Sequence, residues 1–349
     1  MKIAVYTITK NEAHHLERWA ESAKDADLRL VVDTGSTDDT IEVAKAAGCT
    51  VRSVIVTPWR FDTARNFSLD YIPDDYDMCI ALDADEVLQP GWRAALEAMD
   101  PTITRPHYKY TWSWKEDGTP GLIYYGDKIH SRKGYRWKHP VHEVIVPTGI
   151  EVHGMVGLEI HHHPDPGKGR DYLPLLELAV AEDPDDDRNA HYLGREYVYR
   201  GMLDKAASEL KRHLSLPRSQ WPAERAKSMR LLAACLPQEA EAWLLRAAAE
   251  DPLHRESWLA LSRHYYITQR WEHCLMASVR ALSITERTFD YLSEDDCWGW
   301  EPHDHAALSC YFLGLYDRAL AYGLEAVELS PDDQRLRDNV DFYIKAAAG

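Results

Sequence analysis

The sequence predicts an α/β domain with a mostly parallel sheet, followed by an all-α domain built from helix pairs. Over the first 90 residues, short apolar segments alternate with amphipathic helical segments, an order that is typical of a parallel sheet. After residue 171, apolar residues recur at three- and four-residue spacing, which predicts helices. We therefore expect two domains that cover residues 1–165 and 166–349.

Four strands are expected in the first domain, and the turns that follow them are polar. They are predicted at residues 2–8, 28–32, 51–56 and 78–82. Helices are expected over residues 15–24 and 41–47, and a third begins near Phe61. Gly35 permits a tight turn after the second strand, because glycine accepts a positive φ. The Ser, Thr and Asp residues around Gly35 can cap the helix that follows.

The fourth strand leads directly into Asp83, Ala84 and Asp85. Open α/β sheets bind ligands at the carboxyl ends of their strands. If the strand continues, alternation places Asp83 and Asp85 on the same side. Two carboxylates in this position suit a hard divalent cation that also touches a diphosphate. A solvated acidic turn is the alternative interpretation.

Four motifs give the first 90 residues a resemblance to family 2 glycosyltransferases with the GT-A fold. They are TKNE at 9–12, VDTGSTDDT at 32–40, ARNF at 64–67 and LDADE at 82–86. All four occur in the order that the family shows. The resemblance implies a GT-A domain, a nucleotide-sugar donor with a UDP-sugar favoured, a Mn²⁺ or Mg²⁺ cofactor and an inverting transfer.

The resemblance also implies roles for the polar side chains of these turns. Asp85 is expected to hold the metal, which acts as a Lewis acid on the leaving diphosphate, and Asp83 to contact the ribose or share the metal. Arg65 is expected to reach a phosphate or orient an acid, and a plain salt bridge is the alternative. The remaining donor-binding residues are expected to be Thr7, Thr9, Asn11, Glu12 and Asp33.

Three histidines end the apolar run at residues 155–160. Imidazoles are good metal ligands, and GT-A enzymes often add a late histidine to the cation. Alternation places His161 and His163 on one face and His162 on the other. We therefore expect His161 and His163 to complete the metal site. A surface cluster without a ligand is the alternative.

Aromatic and basic residues crowd the segment from 107 to 143. Flat rings suit sugars and extended acceptors, whereas packing across an antiparallel strand pair is the alternative. The expected acceptor-side residues are Tyr125, Arg132, Trp137 and His142. An inverting transfer needs a carboxylate to take the acceptor proton. A similar Trp…His-Glu segment in family members with repeat domains makes Glu143 the first candidate, and Asp127 is the second.

The helical half resembles tetratricopeptide repeats. Helix pairs are expected at residues 189–216, 257–284 and 305–329, each with a short turn and an Ala-rich second helix. Small side chains are expected at the contact of each pair, from Ala206 and Ala207, Ala277 and Ala319. Such a domain either stabilises the catalytic domain as a helical cap or offers a concave surface for docking an acceptor.

Composition limits the function further. A net charge of −17 opposes tight, non-specific attraction to nucleic acid or anionic lipid. The sequence shows neither a signal peptide nor a membrane span, and its six cysteines lack metal or redox spacing, so a reducing cytoplasm is expected. Because repeat domains usually bind polypeptide, a protein or peptide acceptor is the leading prediction. The alternatives are a hydroxylated base in DNA, such as phage DNA, and a non-catalytic scaffold on a transferase fold.

Overall fold

The computed structural model of the protein describes residues 1–165, 169 and 171–348. The chain divides into two compact units, Met1–Glu182 and Asp183–Gly349. The domain boundary expected after residue 165 stays a prediction, and residues 166–168 beside it lie outside the described residues. The first unit extends to Glu182 because this residue forms an ion pair with Arg60, and the ring of Tyr172 contacts that of Phe61.

The first unit contains the strands of the structure. In chain order they are β1 (Ile3–Thr9), β2 (Leu28–Asp33), β3 (Thr50–Ser53), β4 (Met78–Ala81), β5 (Glu86–Leu88), β6 (Arg105–Thr111), β7 (Ile123–Gly126), β8 (Ile129–Ser131), β9 (Tyr135–Lys138), β10 (Val144–Pro147) and β11 (His153–His162). The helices of this unit are α1 (Ala13–Ser22), α2 (Thr40–Ala46), α3 (Phe61–Tyr71), α4 (Trp92–Glu97) and α5 (Leu173–Glu182). The predicted alternation of strands and helices is confirmed.

The larger sheet has the strand order β3-β2-β1-β4-β8. Its first four strands in chain order run parallel, and β8 runs antiparallel to β4. The chain proceeds from β1 outward to β3 and then returns to the other side of β1 to form β4. The winding direction therefore changes between β1 and β4, and ligands of open α/β sheets bind at such a point.

The central strands β1 and β4 of this sheet are buried on both faces, whereas the edge strand β3 is largely exposed. Ile3 and Val5 of β1 belong to one core cluster, whereas Ala4 and Tyr6 belong to the cluster on the opposite face. This alternation explains why the strand is an unbroken apolar run in the sequence. A second sheet has the order β5-β11-β6-β7, and β9 pairs with β10 separately.

The second unit is helical. Its α-helices are α6 (Asp187–Tyr199), α7 (Leu203–Ser215), α8 (Pro222–Cys235), α9 (Ala240–Glu250), α10 (Arg255–Ile267), α11 (Trp271–Leu282), α12 (Glu301–Phe312), α13 (Tyr316–Leu329) and α14 (Gln334–Ala347). Short 3₁₀ turns span Pro237–Glu239 and Asp295–Trp298. Each α-helix from α6 to α14 contacts the next one in the chain.

The three predicted helix pairs correspond to α6–α7, α10–α11 and α12–α13. A fourth pair, α8–α9, was not predicted, because buried residues such as Ala223 and Met229 surround α8 without forming a clear apolar stripe. Small residues at the contacts of the helix pairs allow the helices to pack closely. At Gly194 of α6, for example, an added Cβ atom would lie only 2.7 Å from the side chain of Leu210 of α7. Ala277 and Ala319 are fully buried, as expected.

Candidate active site

Asp83 and Asp85 lie in a tight turn between β4 and β5, beside the point where the winding of the sheet changes. The strand ends at Ala81, so the turn rather than strand alternation places these carboxylates. The side chain of Glu86 closes the turn, because its Oε2 accepts a hydrogen bond from the Asp83 amide at 2.8 Å. Sequence reasoning did not predict this role for Glu86, which is 1% exposed.

Two cations hold the carboxylate of Asp83. Arg65 Nη2 donates to Oδ1 at 2.6 Å, and Lys128 Nζ donates to Oδ2 at 2.9 Å. Burial alone would raise the pKa of Asp83, but these cations hold it well below its usual range. Lys128 also donates to Glu86 Oε1 at 2.6 Å. Asp83 therefore remains ionised, with both of its oxygens in ion pairs.

Arg65 connects Asp83 to Glu143. Its Nε donates to Glu143 Oε1, and its guanidinium lies 4.8 Å from the ring centroid of Trp137. The Arg65 side chain is only 6% exposed. Its remaining nitrogen, Nη1, is buried and has no hydrogen-bond partner among the described residues. The guanidinium thus fixes two carboxylates and leaves one donor for another acceptor.

Asp85 contacts His162. The distance from His162 Nε2 to Asp85 Oδ2 is 3.5 Å, and His162 Nδ1 lies 2.9 Å from the carbonyl oxygen of Trp112. Burial opposes the charged forms, but this contact lowers the pKa of Asp85 and raises that of His162. Because the carbonyl can only accept, Nδ1 carries the proton and Nε2 faces the carboxylate.

The imidazole that contacts the carboxylate of Asp85 is that of His162, and the expectation that His161 and His163 bind the metal stays a prediction. His162 lies opposite Glu86 in the pairing of β11 with β5, and this register brings it beside Asp85. His161 instead pairs with Glu159 at 2.9 Å, and the ring of His163 stacks on Trp114. Alternation along the strand was predicted correctly, but the face that meets Asp85 was not.

The turns after β1 and β2 are joined by hydrogen bonds at the same edge of the sheet. Asp33 accepts from the amides of Gly35 and Ser36, so this carboxylate stabilises its own turn. Asn11, at a φ of 57°, accepts from the Thr37 amide at 2.7 Å. Thr9 is 2% exposed, and its Oγ1 has no partner among the described residues.

Thr7 is fully buried within β1, so its predicted contact with a donor is not supported by its position. Glu12 precedes α1 and belongs to a second group of possible metal ligands. The ligand atoms of Glu12, His14, His15 and Asp165 all lie within 4.8 Å of one another. Burial, with the neighbouring His14, lowers the pKa of His15, which favours the neutral imidazole that binds metals.

The predicted acceptor-side residues lie in different environments. Tyr125 is exposed, and His142 lies next to Glu143 with a φ of 47°. Trp137 is 4% exposed and donates to the hydroxyl of Tyr6 at 2.8 Å. This burial contradicts the expected contact of Trp137 with an acceptor, because the ring packs under Arg65 instead.

Arg132 also requires a correction. It follows β8, which runs antiparallel to β4, so it lies at the opposite end of β4 from Asp83. There its backbone amide donates to the carbonyl of Asp77, and its guanidinium pairs with Asp74 at 3.1 Å. Asp127, the second candidate base, pairs with Arg105 at 2.7 Å. That role for Asp127 stays a prediction.

Several cations of the basic segment at residues 128–138 are paired with acids. Lys128 contacts Asp83 and Glu86, and Arg136 pairs with Asp70 at 2.6 Å. Together with the pairing of Arg132, these contacts neutralise much of the positive charge that the sequence concentrates here. The segment is a weaker candidate for binding a phosphate backbone than its composition indicates.

Part of the first unit is similar to known glycosyltransferases. Residues 4–103 match the family model described as glycosyl transferase family 2. An uncharacterised glycosyltransferase of Rickettsia prowazekii is 38% identical over 109 residues, which cover 31% of this chain and 36% of that protein. The match therefore spans about a third of the length of this relative.

The lipopolysaccharide core biosynthesis glycosyltransferase LpsC of Rhizobium meliloti is 26% identical over 181 residues, covering 47% of this chain and 64% of that protein. Among solved structures, the match to MamA covers 47% of this chain and 89% of the MamA chain, at 18% identity and a TM-score of 0.37. YrrB, titled a TPR protein with an unusual peptide-binding site, covers 48% and 80%, at 15% identity and a TM-score of 0.35. In the described part of the chain, no helix has both the length and the apolar character that crossing a membrane requires.

Proposed function

We propose that the protein transfers a sugar from a nucleotide-sugar with the help of Mn²⁺ or Mg²⁺, and the match of residues 4–103 to the glycosyl transferase family 2 model supports this proposal. The observation that carries the proposal is the contact of Asp85 with His162 beside the point where the sheet reverses its winding. Asp85 offers a hard oxygen ligand. His162 offers Nε2, with Nδ1 oriented by a carbonyl as in many metal-binding histidines. The bound ion would neutralise the charge that develops on the leaving diphosphate.

Arg65 supports the assignment of a diphosphate donor. A buried guanidinium nitrogen without a partner is unfavourable, and a phosphate oxygen at Nη1 would complete its hydrogen bonds. The turn formed by Asn11 and Asp33 would then border the nucleoside, for which we favour uridine. In this arrangement Asp83 positions Arg65 and Lys128 rather than offering a vacant oxygen to the metal.

Glu143 is our candidate for the base that takes the acceptor proton in an inverting transfer. Its side chain is 10% exposed and is oriented by Arg65, which also holds Asp83. A base must lie within hydrogen-bond reach of the acceptor hydroxyl. The connection through one guanidinium keeps Glu143 close to the proposed donor phosphates.

For the acceptor we favour a protein or peptide hydroxyl or thiol, because helical repeats present extended surfaces that suit polypeptides. The similarity to LpsC favours a lipopolysaccharide core saccharide as a second candidate. Hydroxylated DNA is a weaker candidate, since Lys128, Arg132 and Arg136 are already paired with carboxylates.

Calorimetric titration of the full chain with nucleoside diphosphates, with and without Mn²⁺, tests the donor site. We expect metal-dependent binding of UDP that Asp85→Asn abolishes and that the matched exposed variant Asp75→Asn retains. Absence of metal-dependent binding for every common nucleoside diphosphate would refute the proposed transfer and favour a scaffold.

Radiolabelled donor sugar, offered in parallel to cell protein, lipopolysaccharide and hydroxymethylated DNA, tests the acceptor. Label in protein would support our first choice. Label confined to lipopolysaccharide or to DNA would overturn that choice while leaving the transfer itself intact. In each case, Glu143→Gln should reduce the incorporation of label.

A further inference from the structure

A group of metal-binding side chains lies in the helical unit and plays no part in the proposed transfer. Asp187 is the first residue of α6, His213 lies in the last turn of α7, and Glu224 lies in the first turn of α8. Since consecutive helices of such repeats run antiparallel, these three ends meet at one end of the helices. One ligand atom of each residue lies within 4.8 Å of the other two.

The group is largely buried and contains two carboxylates without a lysine or arginine partner among the described residues. His213 is fully buried, Glu224 is 4% exposed, and Asp187 is half-buried. Glu224 lies 3.3 Å from His213 Nε2 and accepts from the hydroxyl of Tyr291 at 2.5 Å. Among the described residues, no lysine or arginine forms an ion pair with Asp187 or Glu224. Two neighbouring carboxylates in such a place require a cation or a proton.

A chain of hydrogen bonds orients the histidine of this group. His213 Nδ1 lies 2.9 Å from Ser228 Oγ, which also lies 2.8 Å from His191 Nδ1. His213 Nε2 is therefore directed towards Glu224 and the hydroxyl of Ser219. Metal-binding histidines are usually held in this way through their second nitrogen.

His191 provides a second, independent observation. Its ring centroid is 5.5 Å from that of His213, and His191 is fully buried. Its Nε2 is buried and has no hydrogen-bond partner among the described residues. Buried polar atoms normally have partners, so a water or another ligand beside His213 would satisfy this nitrogen.

We propose that Asp187, His213 and Glu224 bind a zinc ion that joins α6, α7 and α8. Zinc accepts histidine nitrogen and carboxylate oxygen as ligands, and a water can complete its tetrahedral coordination beside three protein ligands. Magnesium and calcium prefer oxygen ligands alone, whereas an imidazole favours zinc and its neighbours in the first transition row. The ion would connect the first helix pair to the second, and its role would be structural.

Zinc titration of the chelator-treated full chain tests this site, with bound metal counted by elemental analysis. Asp187→Asn should remove one zinc equivalent or weaken its binding by at least about 10–100-fold, the range seen when even a supporting hydrogen bond of a metal ligand is lost. The matched control is Asp185→Asn, an exposed acid two residues earlier. Both variants retain any metal sites of the first unit, so the difference between them reports on this site alone.

Zinc should also raise the melting temperature of the wild type and of Asp185→Asn more than that of Asp187→Asn, because a ligand that binds only the folded state stabilises it. His213→Asn is a second variant with the same expected loss of zinc, and far-UV circular dichroism checks that it folds. Equal zinc content and equal stabilisation in Asp187→Asn and Asp185→Asn would overturn the proposal and leave only a buried hydrogen-bond network.

Discussion

Replacing Arg65 by methionine should destabilise the first unit strongly. The guanidinium is 6% exposed and pairs with two carboxylates, of which Glu143 is itself only 10% exposed. Removing one partner of a buried ion pair costs ~3–5 kcal/mol, because the other charge stays buried without compensation. For a unit of this size, each kcal/mol shifts the melting temperature by ~2–4 °C. We therefore expect a decrease of roughly 6–20 °C in differential scanning calorimetry.

Arg136→Met is the matched control. Arg136 lies on β9 and pairs with Asp70, but the two side chains are 48% and 55% exposed. An exposed pair contributes only ~0–1 kcal/mol. If the unpaired charge causes the loss in Arg65→Met, the double variant with Glu143→Gln should recover part of it, since a neutral amide needs no cation. Equal melting temperatures for the two single arginine variants would refute this reasoning.

Three further outcomes are expected. Glu143→Gln should reduce turnover by ~10²–10⁴ with nucleotide affinity retained, whereas Asp127→Asn should stay active because its carboxylate pairs with Arg105. His162→Ala should weaken Mn²⁺ binding by at least about 10-fold in calorimetry, and equal effects of His162→Ala and His161→Ala would contradict the assigned ligand. The carboxylates of Asp251 and Asp290, at 2.5 and 3.0 Å from the ring nitrogens of His254, raise its pKa to about 10, so its stabilisation is complete below an unfolded pKa of about 6.5 and is lost as the pH rises through 10. The difference in unfolding free energy between wild type and His254→Gln, measured in urea, should therefore decrease from pH 6 to pH 10.

The helical half shows where periodic patterns are sufficient and where they are not. The pairs α6–α7, α10–α11 and α12–α13 were predicted because each helix has an apolar stripe and a short turn. The pair α8–α9 was missed because α8 buries residues around much of its circumference, among them Glu224 and Ser228. From the sequence alone, such polar residues are predicted to be exposed to solvent. In the structure they are buried by contacts with neighbouring helices.

The sequence by itself determined the alternation of strands and helices over the first 90 residues and three of the helix pairs of the second unit, and it located Asp83 and Asp85 just after β4. These features depend on local patterns, namely apolar runs, polar turns and helical spacing. Only the tertiary structure decided that His162 meets Asp85, because alternation defines two faces of a strand but the register of β11 with β5 decides what each face contacts. It also decided that Trp137 is buried beneath Arg65 and that Arg132 lies at the far end of β4. These contacts join residues that are distant in the chain, so no local pattern encodes them, and only the pairing of whole strands brings them together.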